Sequence, residues 1–187
     1  MPSNINDRLE ELEDLVLRNR DKVGKRSGVP FIVFTYPPND ELDVEPEIEG
    51  FAEKLQFNDQ NVELIDMRDL FFQTLEDQGI TEGVFEREQH ATDELSDGLK
   101  QALLEPGNSL GPLPTRIIEA SEAADTVLIY RMGILYPFAS ASLLMSLLEG
   151  EVESDVPIVF FYPATTEDKS LRFLNGTEGT YYRAKVF

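Results

Sequence analysis

The strongest constraint in this chain is a set of four short apolar runs: FIVFTY (31–36), NVELIDM (61–67), TVLIYR (126–131) and PIVFFYP (157–163). Several of them are apolar at consecutive positions. A strand of that kind is buried on both faces, as strands of a parallel sheet are. Parallel neighbours need crossover connections, and the stretches between these runs have helical periodicity. The pattern predicts an α/β fold: a single three-layer domain over 1–187, with a mostly parallel sheet and helices on both faces.

The helices follow from apolar spacing. Ile5, Leu9, Leu12, Leu15 and Val16 form a seam over 5–23, with Asn4 or Asn6 as cap and Gly24 as stop. That 1–24 segment packs on its own sheet or pairs with a second copy, so a homodimer is one expectation. A second helix is expected from about Pro46, proline being tolerated in a first turn, with Ile48, Phe51, Ala52 and Leu55 facing inward. Further helices are expected over 68–78, 115–123 and 137–150. Residues 80–111 read as an acidic helical insertion with apolar positions at Val84, Leu95, Leu99, Ala102 and Leu103, sparse in its first half, ending in a loop at Pro106, Gly107, Gly111, Pro112 and Pro114. LRFLN and YYRAKVF read as short terminal strands, with NGTEG (175–179) as a turn that would make them a hairpin.

In a parallel sheet the functional rim lies at the carboxyl ends of the strands. Here those ends are YPPND (36–40), IDMRD (65–69), RMGILYPF (131–138) and YPATTED (162–168), and three apolar stretches stop at Tyr-Pro. A phosphate cradle there would need glycines and a lysine. YPPNDELDVEP has neither, and its prolines remove amide donors. A degenerate P-loop-like fold, with the architecture kept and the chemistry lost, stays open. So does a divergent nucleotide-binding protein or Mg-dependent hydrolase using Asp40, Asp66 and Asp168. Against that reading, 36 acidic residues make carboxylate coincidences at strand ends inevitable. His90, the single histidine, sits in a polar helix and reads as incidental. No catalytic residue, metal or cofactor is expected.

Composition narrows the partners. A net charge of −20, from 36 acidic against 16 basic residues, repels phosphate backbones, so direct nucleic-acid binding is not expected. Six of the 16 basic residues are lysine. Few lysines, many carboxylates and no cysteine fit either adaptation to a salty cytoplasm, as in a halophilic archaeon, or an ordinary acidic protein. There is no cysteine for a disulfide or thiolate site. The polar N-terminus carries no signal peptide and no run is long enough to span a membrane, so a cytoplasmic protein is expected.

What remains at the rim is cationic and aromatic. Arg131 ends a strand, Arg172 and Arg183 lie in the terminal segments, and Tyr136, Phe138 and Tyr162 sit in strand-end stretches. Tyr and Arg dominate protein interfaces. The arginines are equally suited to be internal counter-ions, Arg131 for Asp66 or Asp168. As partner-binding residues the candidates are Arg131, Tyr136, Phe138, Tyr162, Arg172 and Arg183.

One ordered set of segments has a family likeness: the helical N-terminus, PFIVFTYPP, the D-x-R-x-L of Asp66, Arg68 and Leu70, RMGILYPFASASLLMSLL, PIVFFYPATTED and YYRAKVF. Together they resemble the BrxB family of bacteriophage exclusion (BREX) defence systems. The likeness runs over most of the chain, is densest over 126–187 and is weakest over 80–111. It implies a small non-enzymatic component of an antiviral system that confers phage resistance. The resemblance further implies action by contact with a PglZ-type phosphatase-superfamily protein and other BREX components. It supplies no catalytic residues.

Overall fold

The computed structural model describes residues 5–23, 28–88, 92–105, 107, 109–153, 155–167, 170–173, 176–178 and 184–187. In chain order the elements begin α1 (Ile5–Arg18), a 3₁₀ turn (Arg20–Lys22), β1 (Phe31–Tyr36), a second 3₁₀ turn (Pro38–Asp40), α2 (Glu41–Phe57) and β2 (Val62–Asp66). Next come α3 (Met67–Asp77), α4 (Thr81–Glu88), α5 (Thr92–Leu103), α6 (Pro112–Ala123), β3 (Thr126–Tyr130), a third 3₁₀ turn (Met132–Leu135) and α7 (Ala141–Leu148). The chain closes with β4 (Ile158–Pro163), β5 (Thr165–Glu167), β6 (Ser170–Phe173), β7 (Gly176–Glu178) and β8 (Lys185–Val186).

The main sheet has the order β2-β3-β4-β1-β8, and every pair in it is parallel. The step from β1 to β2 carries the chain past β4 and β3 to the far edge, and the steps β2 to β3 to β4 bring it back. Crossovers of one hand that travel in opposite directions must lie on opposite faces. They do: α2 and α1 cover one face, and α3, α5, α6 and α7 cover the other.

Alternation along each strand divides the side chains between two cores. Phe31, Val33, Ile129, Phe160 and Tyr162 face the α3–α7 layer, while Ile32, Phe34, Leu128, Val159 and Phe161 face α1 and α2. Phe31 and Phe160 meet edge to face at 5.6 Å on the first side; Phe161 packs against Phe34 and Phe51 at 5.3 and 6.4 Å on the second. All six residues of β1 are buried, which is why its sequence shows no polar alternation. The α1 seam of Leu9, Leu12, Leu15 and Val16 is buried within the chain, so its apolar face is occupied in cis.

Several boundaries differ from the sequence reading. Helix α2 starts at Glu41, and Pro46 is inside it. The proline removes the backbone hydrogen bond to the Leu42 carbonyl, and it lies on the exposed face of the helix. Pro112 and Pro114 belong to the first turn of α6, where their missing N–H groups would be unpaired anyway, and not to the preceding loop. Gly111 caps that helix so close to α5 that an added Cβ would collide with the Leu103 carbonyl. Helix α7 begins at Ala141, where the Ser140 hydroxyl accepts from the Leu143 N–H at 3.1 Å.

The terminal region also departs from expectation. Residues 176–178 are a strand, so the hairpin joins β6 to β7 in a separate antiparallel sheet with β5. Of YYRAKVF, β8 joins the main sheet parallel to β1. The Phe187 carbonyl oxygen accepts from the Thr35 N–H at 3.1 Å and from the Thr35 hydroxyl at 2.8 Å. Within 80–111 the described residues form α4 and α5, and Leu99 and Leu103, two of the apolar positions read there, are core residues together with Leu104.

Candidate functional site

Because β1, β2 and β3 are parallel, their carboxyl ends meet at one rim. Arg131, directly after β3, organises it. Its backbone is left-handed, with φ 56° and ψ 37°, a conformation that costs a non-glycine residue about 1 kcal/mol. The guanidinium is held from two sides. Its Nε and Nη2 donate to the two carboxylate oxygens of Glu45, on α2, at 2.7 and 2.6 Å. Its Nη1 donates to Asp66, at the end of β2. The bidentate fork is the geometry in which arginine binds a carboxylate best.

Asp66 has a second task. Its other oxygen accepts from the N–H groups of Arg68 and Asp69 at 2.9 and 3.3 Å, capping α3. One carboxylate thus ends a strand, starts a helix and binds Arg131. The Arg131 guanidinium also lies 5.4 Å from the Tyr130 ring. Hydrogen bonding to Glu45 is the main reason its pKa rises.

Carboxylates crowd this rim. Burial, then the neighbouring Glu45, pushes the Glu41 carboxyl above its ordinary pKa, while Arg131 opposes the shift. Burial also raises the Tyr36 hydroxyl, with Glu41 and Glu45 adding to it. Beside the cluster runs an open groove of about 520 Å³ between the β1–α2 turn and the segment after β3. Its walls include Asn39, Glu41, Leu42, Arg68, Gly133 and Ile134. Leu42 is 80% exposed and Tyr136, farther along the post-β3 segment, is 53% exposed.

The residues singled out in the sequence are distributed unevenly. Arg131 is at the rim, tied to Asp66 as one reading had it, and to Glu45, which no reading named. Tyr136 is at the surface but not at a strand end: a 3₁₀ turn separates it from β3. Phe138 is in the core, its ring 5.4 Å from that of Phe71, and Tyr162 is buried in β4 at 2% exposure. The two aromatics are placed inward because the loop at 138 folds back onto α3 and because position 162 faces the α3–α7 layer. Of Arg172 the structure describes the backbone, in β6; Arg183, Asp168 and His90 lie outside the described residues. Asp40 is exposed just ahead of α2, away from any metal-ligating cluster: among the described residues no group of three such side chains could hold an ion. The YPPND segment forms a 3₁₀ turn with no glycine, so the fold lends no support to a P-loop relative.

These features define a parallel α/β protein whose strand-end rim is closed by internal ion pairs and bordered by outward-facing apolar side chains. Its family follows from comparison: the chain belongs to the BrxB family, residues 63–187 matching the family described as BREX protein BrxB. It is thereby a component of a BREX defence system. The match takes in the 80–111 stretch, where the likeness read from sequence is weakest, and begins within β2. Neither curated proteins nor solved structures give a match. Among the described residues no helix is long and apolar enough to cross a membrane.

Proposed function

We propose that this chain is a non-enzymatic protein-binding component of a BREX-type antiviral system, and that it contacts a PglZ-type partner at the strand-end rim. The contact would use segments 131–140 and 162–172, with Tyr136 as the aromatic anchor. Arg131 holds the loop in place, Phe138 and Tyr162 support it from beneath, and Arg172 and Arg183, from the terminal segments, would add cations to the contact.

The observation that carries this reading is how the rim spends its polar groups. The Arg131 guanidinium and both carboxylates facing it are engaged with one another, while Leu42 and Tyr136 are turned to solvent. An exposed aromatic on the segment that follows the rim is the kind of anchor that carries binding energy between proteins. Tyr136→Ser tests it, since an exposed side chain can be truncated with the fold intact. Co-expressed with the PglZ-type protein, the variant should lose co-purification about tenfold or more, as expected of a hot spot, with unchanged circular dichroism. Undiminished co-purification would remove Tyr136 from the interface.

A further inference from the structure

We propose that the groove beside Arg131 receives a segment of a partner protein in which a lysine or arginine adjoins an apolar side chain. The inference rests on the protein-binding reading above and names the chemistry that the partner must bring. Two features of the groove require it.

The first is unbalanced charge beside an open groove. Glu41 and Glu45 line it together with Arg131 and Arg68, and Asp66 and Asp69, outside the lining, each lie against one of those guanidiniums. Arg131 is saturated by Glu45 and Asp66, and Arg68 lies 3.6 Å from Asp69. Glu41 is left with no hydrogen bond among the described residues, although it is partly withdrawn from water beside another carboxylate. Its raised pKa reports the same poor solvation of the charged form. An incoming cation would relieve it.

The second feature is apolar. Leu42 and Ile134 line the groove together with that carboxylate, and Leu42 is 80% exposed. A side chain with an aliphatic stem and a cationic head, next to an apolar residue, satisfies both demands. A second copy of this chain is a poor occupant, because each copy carries a charge of −20.

The test uses the full chain and a synthetic peptide of alternating lysine and photo-leucine, with a glutamate-for-lysine counterpart. Binding is read by fluorescence anisotropy, and the contact is mapped by irradiation, digestion and mass spectrometry. The lysine peptide should bind about tenfold tighter than its counterpart and cross-link within 38–45 and 131–136. Glu41→Gln should weaken binding about threefold and Leu42→Ser about fivefold. Glu119→Gln, on α6 across the sheet, should leave binding unchanged. Failure of the lysine peptide to bind, equal weakening by Glu119→Gln, or cross-links concentrated on α1 would overturn the proposal. Cross-linking to a species of twice the chain's mass would do so too, by making the occupant a second copy. The peptide is read without any BREX partner. Lost co-purification with intact peptide binding would therefore count against the proposed function, and the reverse against this inference.

Discussion

The two faces of the sheet each bury a core, the larger one on the α3–α7 side, and they are built from different parts of the chain. One is covered by α1 and α2, which precede the family-matched stretch, and the other by α3, α5, α6 and α7, which lie inside it. The matched stretch does not complete the sheet, because β1 sits between β4 and β8. The faces also differ in how they are locked. On the α3–α7 side, Arg116 of α6 binds Asp77 of α3, helix to helix. On the N-terminal side the locks run between the two parts of the chain, one at each end of the strands. Arg20 donates to the Asp125 carbonyl at 2.6 Å and to the Thr126 hydroxyl at 3.3 Å near the strand starts, and Arg131 grips Glu45 at the strand ends. The N-terminal layer is thus half of the rim, not an appendage to a family core.

That comparison can be broken first in the cores. Phe160 and Phe161 are adjacent on β4 and face opposite layers, both fully buried. Truncating either to alanine should cost about 3–5 kcal/mol, and if the layers form one unit, each variant should unfold in a single transition by calorimetry. Two transitions for Phe161→Ala would mean that the N-terminal layer melts by itself. Next is the lock at the rim. Arg131→Met strands two half-buried carboxylates and should cost about 2–4 kcal/mol in urea unfolding, while Arg131→Lys, which keeps charge without the fork, should cost about half of that. Equal losses would mean that charge alone matters. On the other face, Gly111→Ala should cost about 1–3 kcal/mol by forcing α5 and α6 apart, and a neutral result would show that the capping turn can shift.

The smallest effect concerns Glu41. Its folded-state pKa is raised, so the folded protein holds that proton more tightly than the unfolded chain. Its ionisation therefore opposes folding at neutral pH, and the penalty fades as pH falls through the raised value toward the ordinary 4.5. The melting temperature of Glu41→Gln relative to wild type should then be more favourable at pH 7 than at pH 4.5. A difference independent of pH would mean that the carboxylate is well solvated.

The sheet was legible because FIVFTY, TVLIYR and PIVFFYP are apolar at nearly every position, which in so polar a chain leaves few places to put them. Their parallel direction followed from the helices between them. Three kinds of feature were hidden. Prolines at 46, 112 and 114 were read as boundaries, since sequence does not show which face of a helix a proline will occupy. Phe138 and Tyr162 have the composition of an interface, and their burial depends on a loop path and a strand register. The Glu45 partner of Arg131 is remote in sequence, though one signal was present. Glu41, Glu45, Ile48 and Ala52 share a helical face at i, i+4, i+7 and i+11, which turns two carboxylates toward the sheet and calls for a cation.

Hydrogen exchange tests the central claim most directly, comparing the chain alone with the chain mixed with the proposed PglZ-type partner. Protein docking at the strand-end rim predicts slowed amide exchange over 132–140 and 162–172, joined by 38–45 where the groove is occupied, with α6 unchanged. A complex that protects α3 and α6 while leaving the rim at its free rate would contradict it.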